Sequence, residues 1–227
     1  MKYGDILNKL KSMSDPEAVK GMARYGINPR NNLGVSIYKL RPLAKEIGKN
    51  HELALELWSS GIHDARLLAV FVDDPAKVTS EQMDSWAEDF DSWDVCDQAC
   101  TSLFDLTPFS WRKVFEWAER NEEFVKRAAF SLIAGLAVHD KKAADKKFEQ
   151  FFPLIKKHSV DERNYVKKAV NWALRNTGKR NLVLNKQTIK LSEELLKVDS
   201  KSARWVARDA LRELTSEKMQ NRLQKKA

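Results

Sequence analysis

Trp93 and Asp97 stand four residues apart in the stretch "DSWDVCDQAC", residues 91–100. On a helix that spacing puts an indole and a carboxylate on one face, one turn apart. Next to a sugar–base bond, a carboxylate stabilises an oxocarbenium-like centre or activates water, as carboxylates do in glycoside hydrolysis. A flat indole packs on the sugar and attracts nearby positive charge. Arg127 and Trp172 occupy matching positions further along the chain and complete a constellation of two indoles, one carboxylate and one guanidinium. The residue types alone leave a blander reading open. A tryptophan at helical spacing equally serves a core, and an Asp97–Arg127 pair equally serves as a structural ion pair.

These side chains need a scaffold, and the chain supplies it as pairs of helices. First-helix segments are "HELALELW", "SEQMDSWAEDF", "SWRKVFEWAER", "DKKFEQFFPLIKK" and "TIKLSEELLK". Each precedes a polar break and a second segment: "HDARLLAVFV", "WDVCDQACTSLF", "FVKRAAFSLIAGL", "YVKKAVNWALRN" and "WVARDALREL". Anchoring these on Arg66, Asp97, Arg127, Lys168 and Arg208 gives intervals of 31, 30, 41 and 40 residues. Two helices per irregular period predict an all-α, HEAT-like helical-repeat solenoid of about six helix pairs, rather than a generic bundle. The reading takes residues 1–227 as one domain, with a basic C-terminal end over 217–227. Ser60, Asp91, Asn121, Asp161 and Ser202 precede the anchors by six or seven residues and are the expected helix N-caps. Val125, Ala128, Ala129, Leu132 and Ile133 repeat in step with Val166, Ala169, Val170, Ala173 and Leu174, and are the expected core. With only 8 Gly and 6 Pro, a strand-rich fold is not expected.

The anchor column lies outside the apolar stripe, and four of its five members are basic. Arg204, Arg208 and Arg212 form a further row, and Lys168 and Arg175 flank Trp172. Stacked repeats would line these up as a basic concave groove suited to a phosphate backbone. A solvated charged face is the plainer alternative. The net charge of +8 is compatible with both. Asp97 is the one acid in the column, so phosphate affinity does not explain it.

Several classes drop out. The four histidines show no metal-ligand spacing, no Gly-rich phosphate loop or zinc-deaminase pattern appears, and neither metal nor cofactor is expected. Cys96 and Cys100, four apart, read as packed reduced thiols. His63 and Arg66 in "GIHDARLLA" read as groove lining or capping. No apolar run approaches the roughly 20 residues a bilayer span needs, and "MKYGDILNKLKSM" lacks a secretory core. A cytoplasmic protein is expected.

"SWDVCDQ", "FVKRAAF" and "YVKKAVNWALRNTGKRN" resemble the HEAT-like DNA alkylation-repair glycosylases, AlkD and its relatives. The resemblance runs from "NNLGVSIYKLRPLAKEIG" to "RWVARDALREL", nearly the whole chain. It implies that Asp97 is the catalytic aspartate, Trp93 the indole one turn before it, Arg127 the groove arginine and Trp172 the second indole. Tyr25 matches an N-terminal aromatic that approaches DNA. The implied activity is monofunctional excision of cationic N3- and N7-alkylated purines, with Arg66, Lys168, Arg175, Arg204, Arg208 and Arg212 holding the DNA. The implied partner is duplex DNA containing alkylated bases, bound by a monomer that associates with the nucleoid through that DNA. Two rival functions go with the same scaffold: a non-catalytic paralogue that binds distorted or branched DNA, and a protein-interaction scaffold with an acidic partner.

Overall fold

The computed structural model describes residues 1–225, and every regular element in it is helical. The chain divides into two compact units, Met1–Ser110 and Trp111–Ala227. The first unit holds α1 (Tyr3–Ser12), α2 (Pro16–Arg24), α3 (Ile37–Ile47), α4 (His51–Ser59), α5 (His63–Val72), α6 (Ser80–Glu88) and α7 (Trp93–Ser102), then a 3-10 turn at Phe104–Leu106. Next come α8 (Ser110–Ala118), which begins at the boundary, α9 (Glu123–His139), α10 (Asp145–Glu149) and α11 (Phe152–His158). The second unit ends with α12 (Asn164–Gly178), α13 (Leu182–Leu196), α14 (Lys201–Leu214) and α15 (Glu217–Gln224). Residues 226 and 227 of the expected basic end lie outside the described residues.

The expected second helices are α5, α7, α9, α12 and α14. The expected caps are not their caps. Those helices start after Ile62, Ser92, Glu122, Arg163 and Ser200, and only Ser200 caps with its side chain, accepting from the Ala203 N–H. The polar residues chosen from spacing hold the connections instead. Ser60 Oγ donates to the Leu57 carbonyl, Asp161 accepts from Arg163, and Ser202 lies inside α14 and donates to the Asp161 carbonyl. Side-chain caps belong mostly to the other helices: Asp15, Asn50, Thr79, Asn181 and Ser216 each accept from an N–H three residues on. "DKKFEQFFPLIKK" forms not one helix but α10 and α11, broken at Gln150–Phe151, because Pro153 has no N–H to bond the Glu149 carbonyl four residues back.

The core of the first unit centres on aromatic contacts. Trp58 of α4 stacks on Trp86 of α6, ring centroids 3.9 Å apart, with Phe90 and Phe104 at its edges. In the second unit Trp111 packs against Phe148 and Phe151, which are fully buried. Each such ring is worth about 1.5–3 kcal/mol of burial. α9 and α12 form the most extensive helix contact, made possible by Ala128, Ala129 and Ala134 on α9 and Ala169 and Ala173 on α12, all buried. The expected core residues of both helices are buried there. At the end of α12 a Cβ on Gly178 would come 2.3 Å from Thr188 Oγ1 and 2.9 Å from Leu214, so only glycine lets α13 and α14 close on this turn. Among the described residues no helix is long and apolar enough to cross a membrane.

Candidate active site and nucleic-acid interface

In the first unit α7 has two faces. Val95, Cys96, Ala99 and Cys100 are buried, while Trp93, Asp94, Asp97 and Gln98 line the partly open side. Both cysteines are free thiols, and burial pushes the Cys100 thiol well above its ordinary pKa, with Cys96 and Asp97 adding to the rise. Trp93 and Asp97 therefore share an accessible face. Trp93 is fixed there: its Nε1 donates to the carbonyl of Tyr25, 3.0 Å away. Tyr25 itself is 79% exposed, so an aromatic ring stands free beside the anchored indole.

A clasp that spacing did not reveal aims this face. The loop 26–36 crosses the starts of α5 and α7. The Asn28 N–H donates to Ser92 Oγ and its side-chain amide to Asp91. The N–H groups of Leu33 and Val35 donate to the fully buried Asp64, at 2.7 and 2.6 Å, which is how that carboxylate tolerates burial. Gly34, at φ +75°, lets the loop pass within reach of the Asp15 carbonyl, where a Cβ would sit 2.3 Å away. His63 is not groove lining, because it is buried with Nε2 3.0 Å from Asp94 Oδ2. Burial opposes its charged form, but Asp94, with Asp64 and Asp91 behind it, prevails and raises its pKa. These contacts join residues 29 to 64 positions apart, so no local motif announces them.

Arg66 is also held internally. Its guanidinium lies 5.2 Å over Trp58, 3.2 Å from the Asp89 carboxylate, and donates to the Asp89 carbonyl.

In the second unit, Tyr165, Lys168, Trp172, Arg175 and Lys179 form the outer stripe of α12, while Ala169, Val170, Ala173 and Leu174 turn inward. Trp172 is half-buried on this stripe, one turn beyond Lys168. Lys168 is exposed and, like the exposed Arg208 of α14, has no carboxylate partner among the described residues. The other arginines are engaged. Arg175 bonds Glu213 at 2.6 Å and lies 3.5 Å from Asp209, Arg204 donates to the Val198 carbonyl and to Asp199, and Arg212 pairs with Asp209. Counted from the helix start, Lys168 is the fifth residue of α12 and Arg208 the eighth of α14, so Arg208 sits nearly one turn deeper, and Trp205 holds the fifth position of α14. Arg127 is 6% exposed and donates to the Tyr165 carbonyl at 2.7 Å. It ties α9 to α12 from a buried position.

Sequence spacing also missed Trp205. It is 39% exposed on α14, with Lys167 Nζ 5.1 Å over its ring.

The charge is not evenly shared. Residues 1–110 carry 12 Lys and Arg against 17 Asp and Glu, and residues 111–227 carry 28 against 15. Asp97 thus sits in an acidic unit, and Lys168 and Arg208 in a basic one. Among the described residues no group of three or more His, Cys, Asp or Glu is placed to hold a metal ion.

The chain is 24% identical to the uncharacterized protein Lin0241 of Listeria innocua over 57% of its own length and 60% of the relative's. It is 23% identical to Lmo0209 of Listeria monocytogenes over the same shares, so it spans about three fifths of the curated relatives it matches. A solved structure described as a new family of proteins related to the HEAT-like repeat DNA glycosylases, with affinity for branched DNA structures, is similar at a TM-score of 0.78. That similarity covers 94% of this chain and 95% of the other at 19% identity, and it shows the HEAT-like fold. Residues 6–214 match the DNA alkylation repair enzyme family, and the chain belongs to that family.

Proposed function

We propose that the protein is a monofunctional DNA glycosylase that hydrolyses the N-glycosidic bond of cationic N3- and N7-alkylated purines in duplex DNA. The observation that carries this reading is the pairing of Trp93 and Asp97 on the accessible face of α7 inside an acidic unit. An alkylated purine that already bears positive charge is a good leaving group. What the reaction lacks is stabilisation of the sugar as the C1′–N bond breaks. Asp97 supplies it, with a fixed negative charge where the oxocarbenium develops. The bonding electrons leave with the base, a water oxygen bonds C1′, and the water's proton passes to solvent. An acidic unit also attracts a cationic lesion in preference to an ordinary neutral base.

Trp93, fixed through Tyr25, packs on the sugar–phosphate, and Tyr25 reaches the DNA beside it. Trp172 gives a second indole, and Lys168 and Arg208 hold phosphates. Arg127 acts indirectly, keeping α9 and α12 in register. The test is release of free methylated purine from methylated duplex DNA by the wild-type protein. Release well above the spontaneous rate is expected, and release at the spontaneous rate would remove the enzyme reading.

A second reading has one specific observation in its favour. The similar solved structure is described as having affinity for branched DNA structures, and a buried Arg127 is compatible with binding without chemistry. On that reading the protein binds four-way junctions more tightly than duplex and releases no base.

A further inference from the structure

A cavity of about 580 Å³ opens in the second unit at the C-terminal ends of α9 and α12. Lys141, Lys179, Arg180 and Arg222 line it, with the amides of Asn176 and Asn181 and no carboxylate. These cations arrive from the loop after α9, from the end of α12 and from α15, so the cluster is not one helix's solvated face. Lys179 is neutralised by Glu213 at 2.8 Å. Arg180 donates to the carbonyls of Ala137, in the last turn of α9, and Ala143, in the loop after it, and lies 4.0 Å over Phe148; the carbonyls partly compensate it without cancelling its charge. Lys141 and Arg222 are exposed and have neither a carboxylate nor a helix carbonyl as partner among the described residues. Asp145 and Asp140 act on Arg180 from outside the lining, but three positive charges face one cavity that no carboxylate lines, an arrangement that favours an anionic ligand.

We propose that this cavity is a phosphate site, separate from the Lys168–Arg208 surface, which takes a backbone phosphate of nucleic acid. The choice of a nucleic-acid backbone rests on the reading that the protein holds DNA; a free polyphosphate is the other source of the same chemistry. Position favours the backbone. Lys179 lies eleven residues beyond Lys168 on the outer stripe of α12, about 16 Å along the axis, or roughly five base-pair rises of a duplex. Glu213 joins Arg175 on that stripe to Lys179 at the cavity edge. A strand held at Lys168 can therefore present a second phosphate to Lys141 and Arg222.

The test uses Lys141→Ala/Arg222→Ala in the full chain, with Lys2→Ala/Lys11→Ala as a control that removes the same charge from exposed sites in the first unit. Affinity for a labelled undamaged duplex is measured across a salt series, and thermal unfolding is measured with inorganic tripolyphosphate. Duplex affinity of the cavity variant should fall on the order of tenfold and its salt slope should flatten by about 1, from one lost phosphate contact, while the control stays near wild type. If duplex affinity is unchanged but stabilisation by tripolyphosphate is lost, the phosphate site stands and its source is a free polyphosphate. That second result also separates the site from the DNA reading, because it holds even if the wild type binds no DNA. A cavity variant that matches wild type in both measurements overturns the proposal. Should the double variant melt early, Lys141→Gln alone is read by the same two measurements.

Discussion

The two units differ in charge in a way that the overall +8 conceals. In the first, the second helices are short, ten residues each in α5 and α7, and acids crowd the start of α7: Asp91 bonds Asn28, Asp94 faces His63, and Asp97 lines the open face. In the second, α9, α12 and α14 run 17, 15 and 14 residues and carry Lys168 and Arg208 outward. A phosphate backbone is drawn to the second and repelled by the first, and a cationic sugar or base is treated the other way round. On the proposed function, a single basic groove would favour affinity at the expense of cleavage, and segregated charges serve both.

Breaking the acidic side has the largest expected effect. Asp97→Asn keeps shape and removes charge, so base release should fall by on the order of 10²–10³, the usual loss for one preorganised electrostatic contact, measured as initial rates on methylated duplex. On the basic side Lys168→Ala/Arg208→Ala should weaken duplex binding about tenfold for all sequences alike and flatten the salt slope by about 2. Removing Lys2 and Lys11 from the acidic unit should do far less, and equal losses from both pairs would erase the distinction between the units.

The two indoles sharpen the comparison at smaller scale. Trp93 donates its Nε1–H to Tyr25, whereas Trp172 makes no hydrogen bond among the described residues. Trp93→Phe should therefore cost about 1 kcal/mol in denaturant unfolding, and Trp172→Phe less than about 0.5. At both positions Ala should be worse for base release than Phe, because part of the aromatic face survives in Phe.

The smallest effect separates the units by pH. His63 in the first unit has a raised pKa, so its contribution is fully present below the unfolded imidazole range and is lost as pH rises through its folded value. His158 in the second is lowered, first by burial and then by Lys126, with Glu119 opposing; its contribution is present above the unfolded range and lost as pH falls through its folded value. Melting temperature against pH should thus lose its alkaline-side decline in His63→Gln and part of its acid-side decline in His158→Gln.

Much of this was legible in the chain. The helical period marks α5, α7, α9, α12 and α14 to within a few residues because each buries one apolar stripe, and the i, i+4 rule puts Trp93 and Asp97 on one face. The caps were misplaced because polar residues in short connections are equally good at holding a turn, as Ser60 and Asp161 do. Arginine roles were the least legible. Arg66, Arg127 and Arg175 match the exposed Lys168 in pattern, and only the partners decide which are satisfied internally: Asp89, the Tyr165 carbonyl and Glu213 lie 23 to 38 residues away. The clasp of loop 26–36 on Asp64 and Ser92 is equally remote, and it is what fixes the start of α7.

The central claim is that the carboxylate of the acidic unit serves bond cleavage and not the holding of DNA or of the fold. Asp97→Asn and wild type compared side by side for affinity to undamaged duplex test it most directly, with base release and thermal melts on the same preparations. The account predicts equal or tighter binding, since one repulsion of phosphate is gone, together with lost release and an unchanged melt. Binding, release and melting temperature falling together would show a structural carboxylate and contradict it.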